Sequence, residues 1–87
     1  MKSKTTKEGE ILGAHLREVR TARGLTQGDV AEQCATSIAF ISNIERGLML
    51  PGVAVLLRLA DALGCNISEL VDVLDRSPRR ASRSRKS

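Results

Sequence analysis

The apolar positions of this chain recur at the spacing of short amphipathic helices. Leu12, Leu16 and Val19 lie at positions i, i+4 and i+7, and the charged residues Arg17 and Glu18 lie between the last two. Gly24 follows where a left-handed cap would end such a helix. The pattern therefore predicts a first helix that begins at Ile11.

A second short helix follows directly. Thr26 and Asp29 are spaced as in a capping box, with Asp in place of the usual Glu, and an anionic side chain suits the start of a helix. About eight residues are available for this helix. Its apolar stripe comprises Val30, Ala31 and Cys34.

The third predicted helix begins at the cap Ser37 and carries Ile41 and Ile44 on its inner face. Only the three residues ATS separate it from the second helix. Two short helices joined by such a turn cross steeply, as in a helix-turn-helix. We place this motif at residues 26–45 and its second helix at residues 37–46.

Two further helices complete the pattern. The segment VAVLLRLADALG is apolar at almost every position, which predicts a helix at the centre of a bundle that ends at Gly64. Asn66 and Glu69 are spaced as a cap for a fifth helix, ISELVDVLD. The chain has neither the two-residue period of a strand nor a hairpin signal. The predicted fold class is therefore all-α, with five short helices.

The distribution of charge divides the chain into three parts. Residues 11–75 hold five Arg against eight acidic residues, whereas residues 76–87 hold five Arg and one Lys without an acidic residue. The high pI of about 9.7 therefore comes from the tails and is no argument that the folded part binds nucleic acid. We predict a flexible segment at 1–10, one folded domain at 11–75, and a disordered basic tail at 76–87 that binds phosphates non-specifically.

The sequence lacks the residue patterns of catalytic and metal sites. It has no paired carboxylates in a plausible cleft, no Gly-rich phosphate loop, and no nucleophile with a base; His15, the only histidine, is predicted on the surface. Cys34 and Cys65 lie far apart, which fits two small buried thiols better than a zinc site. We expect a non-enzyme without metal or cofactor. The absence of a long apolar run and of a signal-peptide pattern predicts a cytoplasmic protein.

Between Leu12 and Leu70 the chain contains the segments LREVRTARGLTQ, ISNIERG and, after Pro51, LLRLADALG, in this order and spacing. In these segments it resembles the lambda-repressor-like (Cro/cI, XRE) helix-turn-helix family. The resemblance implies a compact five-helix bundle. It also implies a sequence-specific transcriptional regulator, repressor-like, that binds a palindromic operator in double-stranded DNA as a homodimer and is nucleoid-associated when bound.

The resemblance also implies a role for individual residues. Thr26 and Gln27 would contact a DNA phosphate together with backbone amides at both helix starts, and Arg46 would lie near another phosphate. Arg20 and Glu45 would form an internal ion pair. The positions implied to enter the major groove are Ser37, Ile38, Ala39, Ser42 and Asn43. Apolar contacts to thymine methyl groups and an Asn–adenine pair would then favour an AT-containing half-site.

Several of these implied roles have a plainer alternative. Arg20 and Arg46 are also consistent with solvated surface charges. Ile38 and Ala39 stand where many relatives have polar residues, and they are also consistent with an antitoxin or adaptor of the same fold whose main partner is another protein. Ala35 replaces the usual turn glycine, so the turn either avoids a positive φ or carries strain.

Apolar residues also replace a typically polar loop of the family. Leu48, Met49 and Leu50 predict an apolar loop that is covered by another molecule. A second copy of the chain, related by a two-fold axis, is the natural candidate, because a single recognition helix makes few contacts with DNA. Val71 and Leu74 on the fifth helix are further candidates for a dimer interface. Ordinary core packing is an equal alternative for these two residues.

Overall fold

The computed structural model describes residues 5–75, and this part of the chain contains five helices and no strand. The all-α fold class predicted from the sequence is therefore confirmed. None of these helices is both long enough and apolar enough to cross a membrane. In chain order the helices are α1 Lys7–Ala22, α2 Gln27–Gln33, α3 Ile38–Glu45, α4 Val53–Leu63 and α5 Ile67–Asp75.

Helix α1 begins earlier than the apolar spacing predicts. The side chain of Thr6 accepts a hydrogen bond from the backbone N–H of Gly9 at 3.0 Å, and two glutamates lie in the first turn, where the helix dipole favours them. The helix therefore starts at Lys7, within the segment 1–10 that the sequence predicts to be flexible. Cap chemistry, which acts without any apolar residue, explains this correction for residues 7–10.

The capping signals at the second and third helices are confirmed. The hydroxyl of Thr26 accepts the N–H of Asp29 at 3.0 Å, and the carboxylate of Asp29 accepts the N–H of Thr26 at 2.9 Å. The hydrogen bond from the Thr26 backbone lowers the pKa of the Asp29 carboxyl, so the box is complete at neutral pH. The hydroxyl of Ser37 accepts the N–H of Phe40 at 3.0 Å and caps α3.

The core is aliphatic and receives side chains from all five helices. Both thiols are free; Cys34 is buried and Cys65 half-buried, and burial raises the pKa of each. The inner residues predicted for the second and third helices are all buried. The buried apolar set comprises Leu12, Leu16, Val30, Ala31, Cys34, Ile41, Ile44, Leu56, Leu59, Ala60, Leu63 and Leu70.

Helix α4 is not surrounded by the bundle, which corrects the prediction of a central helix. It packs against α2 and α5 and buries four of its residues there. Val53 and Leu57, one turn apart on another side, are 67% and 53% exposed. An apolar composition alone therefore overestimates how much of this helix the monomer covers.

The turn between α2 and α3 is strained at Ala35. This residue has φ 56° and is the one non-glycine residue with positive φ between residues 5 and 75. The backbone N–H of Thr36 donates to the carbonyl of Ala31 at 2.9 Å and closes the turn. Of the two possibilities left open by the sequence, the structure shows the left-handed conformation, which favours glycine.

Replacing Ala35 by glycine is expected to stabilise the domain. The left-handed conformation costs alanine about 1–2 kcal/mol, and the greater chain entropy of glycine offsets about 0.5–1 kcal/mol of that, which leaves a gain of about 0.5–1 kcal/mol. Urea unfolding measures the difference. The matched control is Ala14→Gly, at an exposed position inside α1, which should destabilise the domain by about 1 kcal/mol. Equal losses in both variants would contradict the assigned strain.

Candidate nucleic-acid interface

Helix α3 has one buried face and one exposed face. Ile41 and Ile44 point into the core, whereas Ile38, Ser42 and Arg46 recur every fourth residue along the outer side. The residues proposed from the sequence for the major groove all lie on or beside this outer side. Exposed among them are Ser37, Ile38 and Ala39, and half-buried are Ser42 and Asn43.

The side chain of Ile38 lies against the first turn of α2. A Cβ atom built on Gly28 would stand 3.6 Å from its Cδ1 atom, an ordinary van der Waals distance. Ile38 is nevertheless 56% exposed, so one side of it is supported by the protein and the other faces outward. The apolar leading edge of α3 is therefore held in place without being buried in the monomer.

Helix α3 is fixed against α1 by direct contact between the two backbones. A Cβ atom on Gly13 would stand 2.4 Å from the carbonyl oxygen of Ile44 and 2.6 Å from that of Glu45. Just beyond α3, Gly47 has φ 79°, and a Cβ atom there would stand 2.9 Å from Cγ of Glu10. Only glycine permits this approach. The importance of Gly13 could not be predicted from the sequence, because its partner lies on another helix.

Arg20 and Glu45 form a bidentate ion pair that joins α1 to the end of α3. The Nε atom of Arg20 donates to Oε2 of Glu45 at 2.6 Å, and its Nη2 atom donates to Oε1 at 3.0 Å. Its Nη1 atom donates to the carbonyl of Leu25 at 2.9 Å. The two side chains are only 11% and 5% exposed, and the hydrogen bond to Glu45 raises the pKa of Arg20. Arg20 is therefore not a solvated surface charge.

Gln27 joins this network from the start of α2. Its Nε2 atom donates to Oε1 of Glu45 at 3.0 Å, so one of the two amide hydrogens is committed within the protein. This bond could not be predicted from the sequence, because Gln27 and Glu45 lie 18 residues apart on different helices. The backbone N–H groups of Thr26 and Asp29 already donate hydrogen bonds within the capping box. These two groups are therefore not available to bind an anion at the start of α2.

Five exposed apolar residues lie in the loop after α3 and on α4. We call this set the apolar surface, and it consists of Leu48, Met49, Leu50, Val53 and Leu57, all of which are exposed. The fifth helix differs from this surface, because Val71 and Leu74 pack partly buried against the core. Val53 and Leu57 were missed from the sequence, since an apolar helix gives no sign of which side its neighbours leave open.

His15 contributes to the packing of α1 against α5. Its Nε2 atom lies 3.0 Å from the carbonyl oxygen of Glu69, so the tautomer that is protonated at Nε2 ties α1 to α5. Between residues 5 and 75, no group of three or more His, Cys, Asp or Glu side chains is arranged to hold a metal ion.

Comparison with known proteins identifies relatives along most of the chain. The family model described as "Helix-turn-helix domain" matches residues 11–74. The chain is 36% identical over 69 residues to the uncharacterized HTH-type transcriptional regulator y4dJ of Sinorhizobium fredii, and the match covers 79% of this chain and 90% of that protein. It is also 36% identical over 63 residues to the uncharacterized HTH-type transcriptional regulator YazB of Bacillus subtilis, and that match covers 72% of this chain and 91% of that one.

A solved structure of a related protein has the same fold. The crystal structure of the restriction-modification controller protein C.AhdI from Aeromonas hydrophila superposes with a TM-score of 0.73 at 32% sequence identity. The superposition covers 75% of this chain and 98% of that one. The lambda-repressor-like arrangement expected from the sequence segments is therefore confirmed in three dimensions.

Proposed function

The chain belongs to the helix-turn-helix family of DNA-binding transcriptional regulators, and on that premise we propose that it is a repressor-like protein that binds a palindromic operator as a homodimer. Helix α3 would enter the major groove of the DNA, whose width admits one helix. The observation that carries this proposal is the outer side of α3. Ile38, Ala39 and Arg46 are exposed there, Ser42 and Asn43 are half-buried, and the helix packs backbone to backbone against α1.

The outer side of α3 supports direct recognition of bases. Ile38 and Ala39 are suited to pack against thymine methyl groups, and the amide of Asn43 is suited to pair with the N6 and N7 edge of adenine. Ser37 and Ser42 offer hydroxyl groups to either kind of base pair. An operator half-site that contains A·T pairs follows from this set of side chains.

Contacts to phosphates would set the position of α3 in the groove. Gln27 retains one amide hydrogen after its bond to Glu45, and it is suited to donate that hydrogen to a phosphate oxygen. Thr26 retains its hydroxyl hydrogen, since the oxygen acts as an acceptor in the capping box. Arg46 is exposed at the far end of α3, where a second phosphate would pass.

Two alanine substitutions test this docking. Gln27→Ala should weaken binding to all duplexes alike, because a phosphate contact carries no sequence information, whereas Asn43→Ala should change which duplex is preferred by about 1–3 kcal/mol at one position. A selection from random duplex DNA with the full chain supplies the operator, and fluorescence anisotropy gives the affinities. If neither substitution alters affinity or preference, the docking face is wrong.

The apolar surface supports the homodimer. One recognition helix makes few base contacts, and two helices on a two-fold axis reach half-sites about 34 Å apart. Two copies of the apolar surface would cover each other isologously and remove exposed Leu50, Val53 and Leu57 from water. Val71 and Leu74 are less suited to this role, because they pack against the core of their own chain.

Leu57→Glu tests the dimer. A charge on the apolar surface should dissociate the dimer and lower operator affinity by about a hundredfold, near 3 kcal/mol, because burial of an unpaired carboxylate is costly. Sedimentation equilibrium and anisotropy measure the two effects. Ala14→Glu, at an exposed site on α1, is the control and should remain dimeric. A Leu57→Glu chain that sediments as the unchanged dimer would exclude this surface.

The same exposed residues favour a second candidate function, an antitoxin or adaptor whose main partner is another protein. A monomeric full chain that copurifies with a defined protein, and loses it on Leu57→Glu, would support this function over the homodimeric regulator.

A further inference from the structure

A recess about 270 Å³ in volume opens beside the outer side of α3. We call it the arginine recess, because three arginines line it. The lining consists of Arg17, Arg20, Gln27, Ser42, Glu45 and Arg46. Helices α1, α2 and α3 therefore all contribute to one concave site, which has room for more than one water molecule.

Positive charge is concentrated in this recess although the domain is acidic. Residues 11–75 contain five arginines against eight acidic residues, and three of the five arginines line the recess. The one carboxylate in the lining is that of Glu45, which Arg20 already neutralises through two hydrogen bonds. Three arginines and one glutamate leave a formal charge of +2 in the lining. An anion is the ligand that such a site favours.

Two of the arginines are available to a ligand. Arg17 and Arg46 are exposed, and within residues 5–75 neither guanidinium forms an ion pair or a side-chain hydrogen bond. Ser42 adds a hydroxyl group, and Gln27 adds the amide hydrogen that Glu45 does not use. Planar guanidinium groups with hydroxyl and amide donors around them match the oxygens of a phosphate group.

The recess borders the proposed DNA-binding side. Ser42 and Arg46 lie on the same outer line of α3 as Ile38, at intervals of four residues. A helix seated in the major groove has phosphates on both of its flanks, and α1 lies on the flank where Arg17 stands.

We propose that the arginine recess binds a phosphodiester group of the operator backbone and that Arg17 of α1 contacts it directly. This inference rests on the proposed function, and it extends the DNA contacts beyond the helix-turn-helix to the first helix. The contact is independent of sequence, so it fixes the depth of α3 in the groove and not the choice of bases.

The experiment compares the full-length wild-type chain with Arg17→Gln on the selected operator and on a scrambled duplex, over a series of salt concentrations. Loss of one phosphate contact should reduce the slope of log affinity against log salt by about 0.9 and lower the affinity about tenfold near 0.1 M salt, on both duplexes. The control Arg23→Gln removes the same charge from the exposed residue that directly follows α1, outside the recess, and should leave the slope unchanged. Thermal unfolding verifies that both variants fold.

The outcomes separate this inference from the proposed function. If Arg17→Gln leaves the salt slope unchanged while Asn43→Ala still alters sequence preference, the proposed phosphate contact in the recess is wrong. The proposed function as a DNA-binding regulator would then still stand. Equal slope changes in the Arg17 and Arg23 variants also overturn the phosphate contact, because the effect is then one of net charge. A titration with inorganic phosphate followed by NMR tests whether the ligand of the recess is a free anion instead of DNA. If phosphate binds at Arg17 but Arg17→Gln leaves DNA affinity unchanged, the recess binds a free anion, and the proposed contact with the DNA backbone is wrong.

Discussion

Replacing Gly13 by alanine is expected to destabilise the domain by about 1–3 kcal/mol, although alanine is the better helix former by about 1 kcal/mol. The new Cβ atom would stand 2.4 Å from one backbone carbonyl oxygen of α3 and 2.6 Å from the next. Backbone oxygens cannot rotate away as a side chain can. Helix α1 must therefore move away from α3, which loosens the contacts of Leu12 and Leu16 with the core.

The matched control for this variant is Gly28→Ala, another helical glycine to alanine change. Its Cβ atom would meet Ile38 at 3.6 Å, an ordinary contact, so the domain should keep or gain stability. Urea unfolding of both variants gives the two free energies. A Gly13→Ala domain as stable as the wild type would show that α1 and α3 do not pack backbone to backbone as described.

The displacement of α3 should also be visible in DNA binding. The affinity of folded Gly13→Ala for the operator should fall, because the outer side of α3 moves relative to the phosphate contact proposed for Gln27. Gly28→Ala leaves that geometry intact. Binding measured at a temperature at which both variants are fully folded separates this effect from the loss of stability.

The features that could be predicted from the sequence are those that arise from residues close together in the chain. A cap such as Thr26 with Asp29 needs only its own helix start, and the inner face of α3 follows from the spacing of Ile41 and Ile44. The crossing of α2 and α3 follows from the length of one turn. These features together determine the fold class and the exposed side of α3.

The features that were missed depend on which elements meet in space. Gly13 has the sequence signature of a tolerated helical glycine, and only the approach of α3 makes it necessary. The apolar residues Val53 and Leu57 could belong to a core or to a surface until the neighbours of α4 are known. The bond from Gln27 to Glu45 likewise joins residues of different helices. Packing, rather than propensity, decides all three.

Glu45→Ala is expected to destabilise the domain strongly, with a loss of about 3 kcal/mol. The carboxylate of Glu45 accepts two hydrogen bonds from Arg20 and one from Gln27. Its removal leaves the guanidinium of Arg20 nearly buried, with the carbonyl of Leu25 as its remaining acceptor. An unpaired charge in that position costs far more than the net contribution of the pair itself.

The double variant Arg20→Met with Glu45→Leu tests whether the unpaired charge of Arg20 causes the loss of stability. Apolar residues of similar volume should restore most of the lost stability, because the buried unpaired charge is then gone. Gln27, however, would still lack the acceptor that holds its amide, so DNA affinity should stay low on every sequence alike. Urea unfolding and anisotropy of the single and double variants measure the two effects separately. A Glu45→Ala domain that loses less than about 1 kcal/mol, the contribution typical of an exposed pair, would mean that the ion pair is solvated and does not hold α1, α2 and α3 together.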